Sequence, residues 1–219
     1  MLVLAIDTAT PASTAALAEV TATGMRGLAE RRTVDARGHG ELLAPEIAAT
    51  LDEARVRPAD LDAIVAGTGP GPFTGLRVGL ATAASMAQAL GIPTYGVCSL
   101  DALGLAAGPG RVLVATDARR REVYWATYAA GHRASEPAVA RPADLRVDVE
   151  RAVGEGAVKY SDLLGVPIDG FLLYPPGAAL VSLAADRVRA RAPSETLTPR
   201  YLRRPDAVEP AARKPVLRS

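Results

Sequence analysis

Apolar residues run without a break over positions 2–6 and stop at Asp7-Thr8, the pattern of a buried strand that delivers a carboxylate to a loop. Positions 13–20 and roughly 25–34 read as two further strands, with Gly24 at the turn, so an antiparallel three-strand meander is expected. From Glu41 to Arg55 the period changes. Leu43, Ile47 and Leu51 recur every four residues, flanked by Leu42 and Ala54, which predicts an amphipathic helix with Pro45 near its first turn. Asp60 to Thr68 gives another strand, running into Gly69-Pro70-Gly71-Pro72. Thr74 is placed as the N-cap of a second helix reaching about Leu90, with Gly79, Ala83 and Ala87 at four-residue intervals. Gly91-Ile92-Pro93 ends that helix, and Thr94 to Cys98 is a short strand. The order β-β-β-α-β-α-β closes a first lobe over residues 1–100.

A second lobe over residues 101–203 opens in the same way, with the apolar run 112–116 ending at Asp117. Glu122 to Tyr128 alternates apolar and polar positions as a strand, and 132–140 is its hairpin partner. This echo of the first lobe is what a duplicated fold leaves behind. Short segments near 151–158 and 170–174 follow, then a helix from about Gly177 to Ala192. The stretch 204–219 holds three prolines and no hydrophobic period, and is expected to be extended and peripheral.

Composition narrows the classes. The chain has 219 residues, enough for one large domain or two small lobes. A net charge of +1 supplies no field that would draw nucleic acid on its own, and aromatics at 4% are too few for a base-stacking platform. Cys98 is the single cysteine, which removes a disulfide framework and a cysteine-rich metal site. The first apolar run is too short for a signal peptide or a span, and no membrane association is expected; a cytoplasmic location is the reading.

Candidate chemistry is sparse. Asp7, with Thr8 beside it, and Asp117 end buried strands, where α/β folds place ligand-facing groups; as a pair they would hold a magnesium–phosphate, or each simply caps the turn that follows. The run from Gly69 to Gly79 resembles an anion cradle at a helix start, but no lysine follows its glycines and its prolines lack N–H groups, so a structural or interface role leads. The only histidines, His39 and His132, lie far apart, too few for a zinc hydrolase, and no serine-protease pattern is present. No catalytic residue and no metal ligand is assigned. The small face of the second helix would admit another helix closely, either the lobe's own first helix or a partner.

Residues 4–10, His39-Gly40-Glu41-Leu42-Leu43-Ala44-Pro45, Gly69 to Ala83, Gly96 to Leu103, Asp117 to Tyr124 and Pro199-Arg200-Tyr201-Leu202-Arg203 together resemble the TsaB (YeaZ) family. That family is the partner subunit of TsaD in making threonylcarbamoyladenosine in tRNA. Pro72 departs from it, where serine is usual, and so does Gly40, where serine or threonine is common. The resemblance implies a two-lobed actin/hexokinase-like (ASKHA, ribonuclease H-like) α/β fold, with mixed sheets flanked by helices and the second lobe reduced. It implies a non-catalytic scaffold that docks on TsaD through its first two helices. The expected interface is Leu43, Ile47, Leu51, Thr74, Gly75, Leu76, Arg77, Val78, Gly79, Thr82, Ala83 and Met86. It further implies a homodimer when alone, TsaE in a larger complex, and tRNA met only indirectly. No cofactor of its own is expected, ATP/ADP and metal belonging to TsaD, whose first helix carries a histidine pair where this chain has only His39. The rival is an ATP-dependent small-molecule kinase or ATPase using Asp7 and Asp117; a protease ranks last.

Overall fold

The computed structural model describes residues 1–203, and the expectation for 204–219 lies outside the described residues. Two five-stranded sheets carry the chain. In the first, β1 (Leu2–Asp7) pairs antiparallel with β2 (Ala12–Val20), which pairs with β3 (Met25–Val34); on its other side β1 runs parallel to β4 (Ala63–Gly67), and β4 to β5 (Thr94–Val97), giving the order 3-2-1-4-5. Helices α1 (His39–Ala54) and α2 (Phe73–Leu90) supply the crossovers.

The strict alternation of strand side chains explains why β1 reads as a continuous apolar run. Leu4 and Ile6 join Ala15, Leu17, Ile64 and Ala66 in a core closed by Leu43, Ile47 and Leu51 of α1 and by Leu80, Ala83 and Ala87 of α2. Val3 and Ala5 point the other way, with Ala16, Ala18 and Val65, into a core closed by Leu180, Val181, Ala184 and Val188 of the last helix. The alanines that weaken β2 as a strand former have a packing reason. A Cβ on Gly177, at the start of that helix, would collide with the Ala16 side chain, so only small residues let the helix lie this close.

The second sheet repeats the first in reduced form. β6 (Arg111–Asp117) pairs antiparallel with β7 (Val123–Ala129), as β1 does with β2, and parallel with β10 (Arg151–Val153), as β1 does with β4. The expected hairpin partner over 132–140 is two short strands, β8 (His132–Arg133) and β9 (Ala138–Ala140), both on β7. In the place of β5 there is only an isolated parallel bridge, Ile168 beside Ala152. Residues 151–158 divide into β10 and α4 (Glu155–Lys159), followed by α5 (Ser161–Leu164). The segment 170–174 is not a strand; the Leu172 and Leu173 carbonyls accept the Gly154 and Glu155 N–H groups at 2.8 and 3.0 Å.

Two elements differ from the sequence reading. α3 (Ser99–Ala107) is a helix the pattern did not signal, because it is buried on opposite sides. Ala102 packs into the first sheet's core while Leu100 and Leu103 pack into the second's, so α3 is the wedge between the sheets. Asp101 fastens it, accepting Tyr128 Oη at 2.8 Å and Arg133 Nε at 2.9 Å. The last helix, α6 (Gly177–Arg189), is placed in the second lobe by chain order yet packs on the first sheet. Leu180 is fully buried there, and Leu180→Ala is expected to cost about 2–5 kcal/mol in denaturant unfolding. A loss well under 1 kcal/mol would show that α6 is not part of the cooperative core.

Candidate functional site

The C-terminal ends of β1 and β4 meet the first turns of α1, α2 and α3, and the residues singled out from sequence converge here. Asp7 is 1% exposed. Ser99 Oγ, at the first turn of α3, donates to Asp7 Oδ2 at 2.5 Å, and the Ala9 N–H donates to Oδ1 at 3.0 Å. Ser99 Oγ also accepts the Gly69 N–H at 3.2 Å, so one carboxylate ties three loops together. Burial lifts the Asp7 carboxyl from 3.8 to about 6, against the opposing pulls of Ser99, the Ala9 N–H and Arg32.

Thr8 locks α2. Its Oγ1 donates to the Gly75 carbonyl at 2.7 Å and accepts the Gly79 N–H at 3.1 Å, the two groups that a regular helix would join to each other. Such insertion needs a helix surface without side chains. A Cβ on Gly79 would collide with Thr8 Oγ1, one on Gly75 would lie 2.7 Å from the Thr8 carbonyl oxygen, and one on Gly71 would collide with the Ala9 backbone. The glycine spacing is therefore a packing motif built around Thr8-Ala9. Thr74 does not cap α2: the N-cap position is Pro72, with no side-chain acceptor, and Thr74 lies inside the first turn.

Asp117, at the end of β6, is committed elsewhere. Lys159 Nζ lies 2.8 Å from its Oδ2, and Tyr160 Oη donates to Oδ1 at 3.1 Å. Its backbone N–H donates to Glu155 Oε1 at 2.8 Å. The ammonium of Lys159 thus supplies the positive charge a metal ion would bring, and that contact raises the Lys159 pKa. Sequence reasoning had no signal for this partner except that Lys159 is one of two lysines in the chain. The turn after Asp117 is unusual: Arg119, Arg120 and Arg121 have φ of 62°, 49° and 61°. Left-handed backbone at three consecutive non-glycine residues costs about 1–2 kcal/mol each, and the turn holds all three arginines at the surface.

His39 opens α1 and is 8% exposed; its Nδ1 lies 2.8 Å from Ser13 Oγ. Burial holds its pKa below the ordinary value, with Asp35 pulling the other way. A cavity of about 370 Å³ lies between the first turns of α1 and α2, with His39 and Arg119 in its wall. Among the described residues no group of three His, Cys, Asp or Glu side chains is arranged to hold a metal ion. Also among them, no helix is long and apolar enough to cross a membrane.

The expected interface residues divide by burial. Leu43, Ile47, Leu51, Gly75, Leu76, Gly79 and Ala83 face the sheet or Thr8 and are buried, so they present nothing to a partner. The stripe of every fourth residue marks the side of a helix that packs on its own sheet first, which is the reason for the correction. Thr74 and Arg77 are exposed, and Val78, Thr82 and Met86 half-buried. The outer faces also carry Ala44, Pro45 and Ala48 on α1 and Ala81, Ala84, Ser85 and Ala89 on α2, none of them marked by the sequence pattern.

A 3-2-1-4-5 mixed sheet followed by a shortened copy of itself, with a turn-borne aspartate at the end of each first strand, defines an actin/hexokinase-like α/β protein. The family model described as "TsaD: tRNA N6-adenosine threonylcarbamoyltransferase" matches residues 33–202. The crystal structure of YeaZ from Pseudomonas aeruginosa superposes with a TM-score of 0.76 at 32% identity, covering 92% of this chain and 99% of that one. A Mycobacterium tuberculosis protein named only as uncharacterized is 51% identical over 206 residues, covering 94% of this chain and 93% of it. Escherichia coli TsaB, named as a tRNA threonylcarbamoyladenosine biosynthesis protein, is 37% identical over 133 residues, 58% of this chain and 55% of that protein. A Mycobacterium leprae relative, 48% identical, is matched over 56% of its length. The chain belongs to the TsaB/YeaZ family.

Two outcomes follow from the geometry. Because the folded pKa of Asp7 lies above the unfolded one, its contribution to stability is complete below about pH 3.8 and is lost as pH rises through about 6. Stability curves of Asp7→Asn should lack this fall, a difference of roughly 3 kcal/mol across the window; parallel curves for the two proteins would refute the assignment. Gly79→Ala should lower stability by about 1–3 kcal/mol through the collision with Thr8, as read by urea unfolding. An unchanged midpoint would show that Thr8 is not wedged into α2.

Proposed function

We propose that this chain is a non-catalytic subunit in the formation of threonylcarbamoyladenosine in tRNA, and that it docks on a TsaD-type transferase through the outer faces of α1 and α2. Family membership supports the pathway. The observation that carries the docking is the character of the outer helix faces. Over 18 residues α2 has a single charged side chain, Arg77, and beyond it the exposed positions are Ala81, Ala84, Ser85, Gln88 and Ala89. Ala44, Pro45 and Ala48 extend the same surface onto α1. A surface of small, uncharged side chains lets a second helix pair approach closely and loses little hydration when covered. Thr74, Arg77, Val78, Thr82 and Met86 remain the interface candidates from the original set, joined by these small residues.

Because the partner shares the fold in this reading, the same face pairs two copies of the chain when the partner is absent. Nucleotide and metal chemistry then belong to the partner, TsaE joins the larger assembly, tRNA is met indirectly, and the complex is cytoplasmic. The kinase reading has lost its support, since Asp7 is enclosed by Ser99 and Ala9 and Asp117 is held by Lys159 and Tyr160.

The test is size-exclusion chromatography with light scattering on the chain alone and mixed with TsaD of the same organism. A dimer that converts to a heterocomplex is expected. Ala84→Arg and Ala48→Arg should weaken that complex by at least about tenfold, since each buries an unpaired charge, while leaving the melting temperature in place. A chain that ignores TsaD, or arginine variants that bind as tightly as the parent, would overturn the proposal.

A further inference from the structure

The small residues along α2 give a partner room to approach but offer it nothing large to bury. The head of the same helix does. Phe73, 43% exposed, and Tyr201, 39% exposed, stack with ring centroids 5.0 Å apart and planes 30° from parallel. The Arg77 guanidinium lies 3.8 Å from the centroid of the Phe73 ring, and its Nε–H donates to Tyr201 Oη at 3.3 Å. Neither ring belongs to a hydrophobic core of the described residues. We infer that the Phe73–Arg77–Tyr201 stack is the energetic anchor by which this chain holds a TsaD-type partner, a role that rests on the docking already proposed.

The stack is continuous with that face. Phe73 and Arg77 are one turn apart and head the exposed stripe that goes on through Ala81, Ala84 and Gln88 in steps of three or four residues. A helix laid along the small residues therefore runs onto the two rings. Interface energy concentrates in a few tyrosine, tryptophan and arginine side chains, while small neighbours supply fit and exclude water. The Nη groups of Arg77 have no partner among the described residues. The matching surface is thus an apolar patch with a carboxylate or carbonyl oxygen at its edge.

Tyr201 reaches α2 from the far end of the described chain, and the residues on either side of it are fastened. The Arg200 N–H donates to the Thr68 carbonyl at 2.8 Å, and Leu202 packs against the core of the second lobe. One residue further, Arg203 Nη1 donates to the Ala118 carbonyl at 2.6 Å and the guanidinium pairs with Glu122 at 3.0 Å. The ring is held in place before a partner arrives, so docking costs little of its freedom. Paired aromatics beside an arginine also suit an RNA base, but the surroundings favour protein. Arg77 is the single charge of α2 and already lies on Phe73, so a phosphate backbone following the stripe meets no further cation.

The experiment measures the affinity of the parent chain, Tyr201→Ala and Tyr201→Phe for TsaD of the same organism by interferometry, with the melting temperature of each chain alone. Tyr201→Ala is expected to bind at least about tenfold more weakly at an unchanged melting temperature, and Tyr201→Phe, which keeps the ring, to bind nearly as the parent does. Tyr201→Ala that binds as tightly as the parent, or loses affinity only together with a lowered melting temperature, overturns the anchor and leaves docking on the helix faces standing. Tyr201→Ala that keeps its affinity for TsaD but loses retention of tRNA assigns the stack to RNA and overturns it as well. A parent chain that ignores TsaD removes the docking itself, and the anchor with it.

Discussion

The hydroxyl of Thr8 set between the Gly75 carbonyl and the Gly79 N–H is the contact on which the rest of the first lobe is arranged. It fixes the depth of α2 against the end of β1, and it dictates glycine where any Cβ would meet Thr8 or Ala9. Asp7, one residue earlier, holds the starts of α3 and of the loop after β4 through Ser99. Two adjacent side chains thus position two helix N-termini, those of α2 and α3. With α2 drawn in so far, the inward half of each crossover helix is used up by the sheet, and the outward half of α2 carries a single charge, Arg77, while α1 keeps its exposed charges, Glu41, Asp52 and Glu53, near its two ends.

The same arrangement engages both strand-end aspartates in contacts within the chain. A carboxylate that is 1% exposed, with one oxygen taken by Ser99 and the other by the Ala9 N–H, has little room for a hydrated cation. Its counterpart in the second lobe, Asp117, is ion-paired with Lys159 at 2.8 Å. The second sheet, in which a single bridge at Ile168 stands for β5, is a shortened copy, and the end of its helix α4 brings Lys159, and Tyr160 after it, onto Asp117.

Much of this was legible in the sequence, and the failures have physical causes. The apolar run into Asp7, the four-residue stripe of α1 and the strand-to-aspartate echo at Asp117 fixed the element order and the duplicated character of the fold. Helix α3 escaped because burial on two sides leaves no amphipathic period to read. Placing Leu43, Ile47 and Leu51 at an interface failed because periodicity reports which side of a helix is apolar, and the helix's own sheet has first claim on that side. The alanines and serine of the outer face carry no periodic signal at all, so the surface proposed for docking became visible only once burial was known. Ser99, Lys159 and Tyr160 act through contacts 92, 42 and 43 residues away in sequence, beyond any local pattern.

The central claim, that α1 and α2 meet the partner with their outer faces, is tested most directly by hydroxyl-radical footprinting of the chain alone and bound to TsaD. Methionine oxidises readily, and Met86 sits on α2 while Met25 packs beside α6 on the far side of the sheet. Phe171, fully exposed beside the second sheet, serves as a second reference. The account predicts protection of Met86 in the complex, with Met25 and Phe171 oxidised at unchanged rates. Protection of Met25 or Phe171 with Met86 unaffected would contradict it.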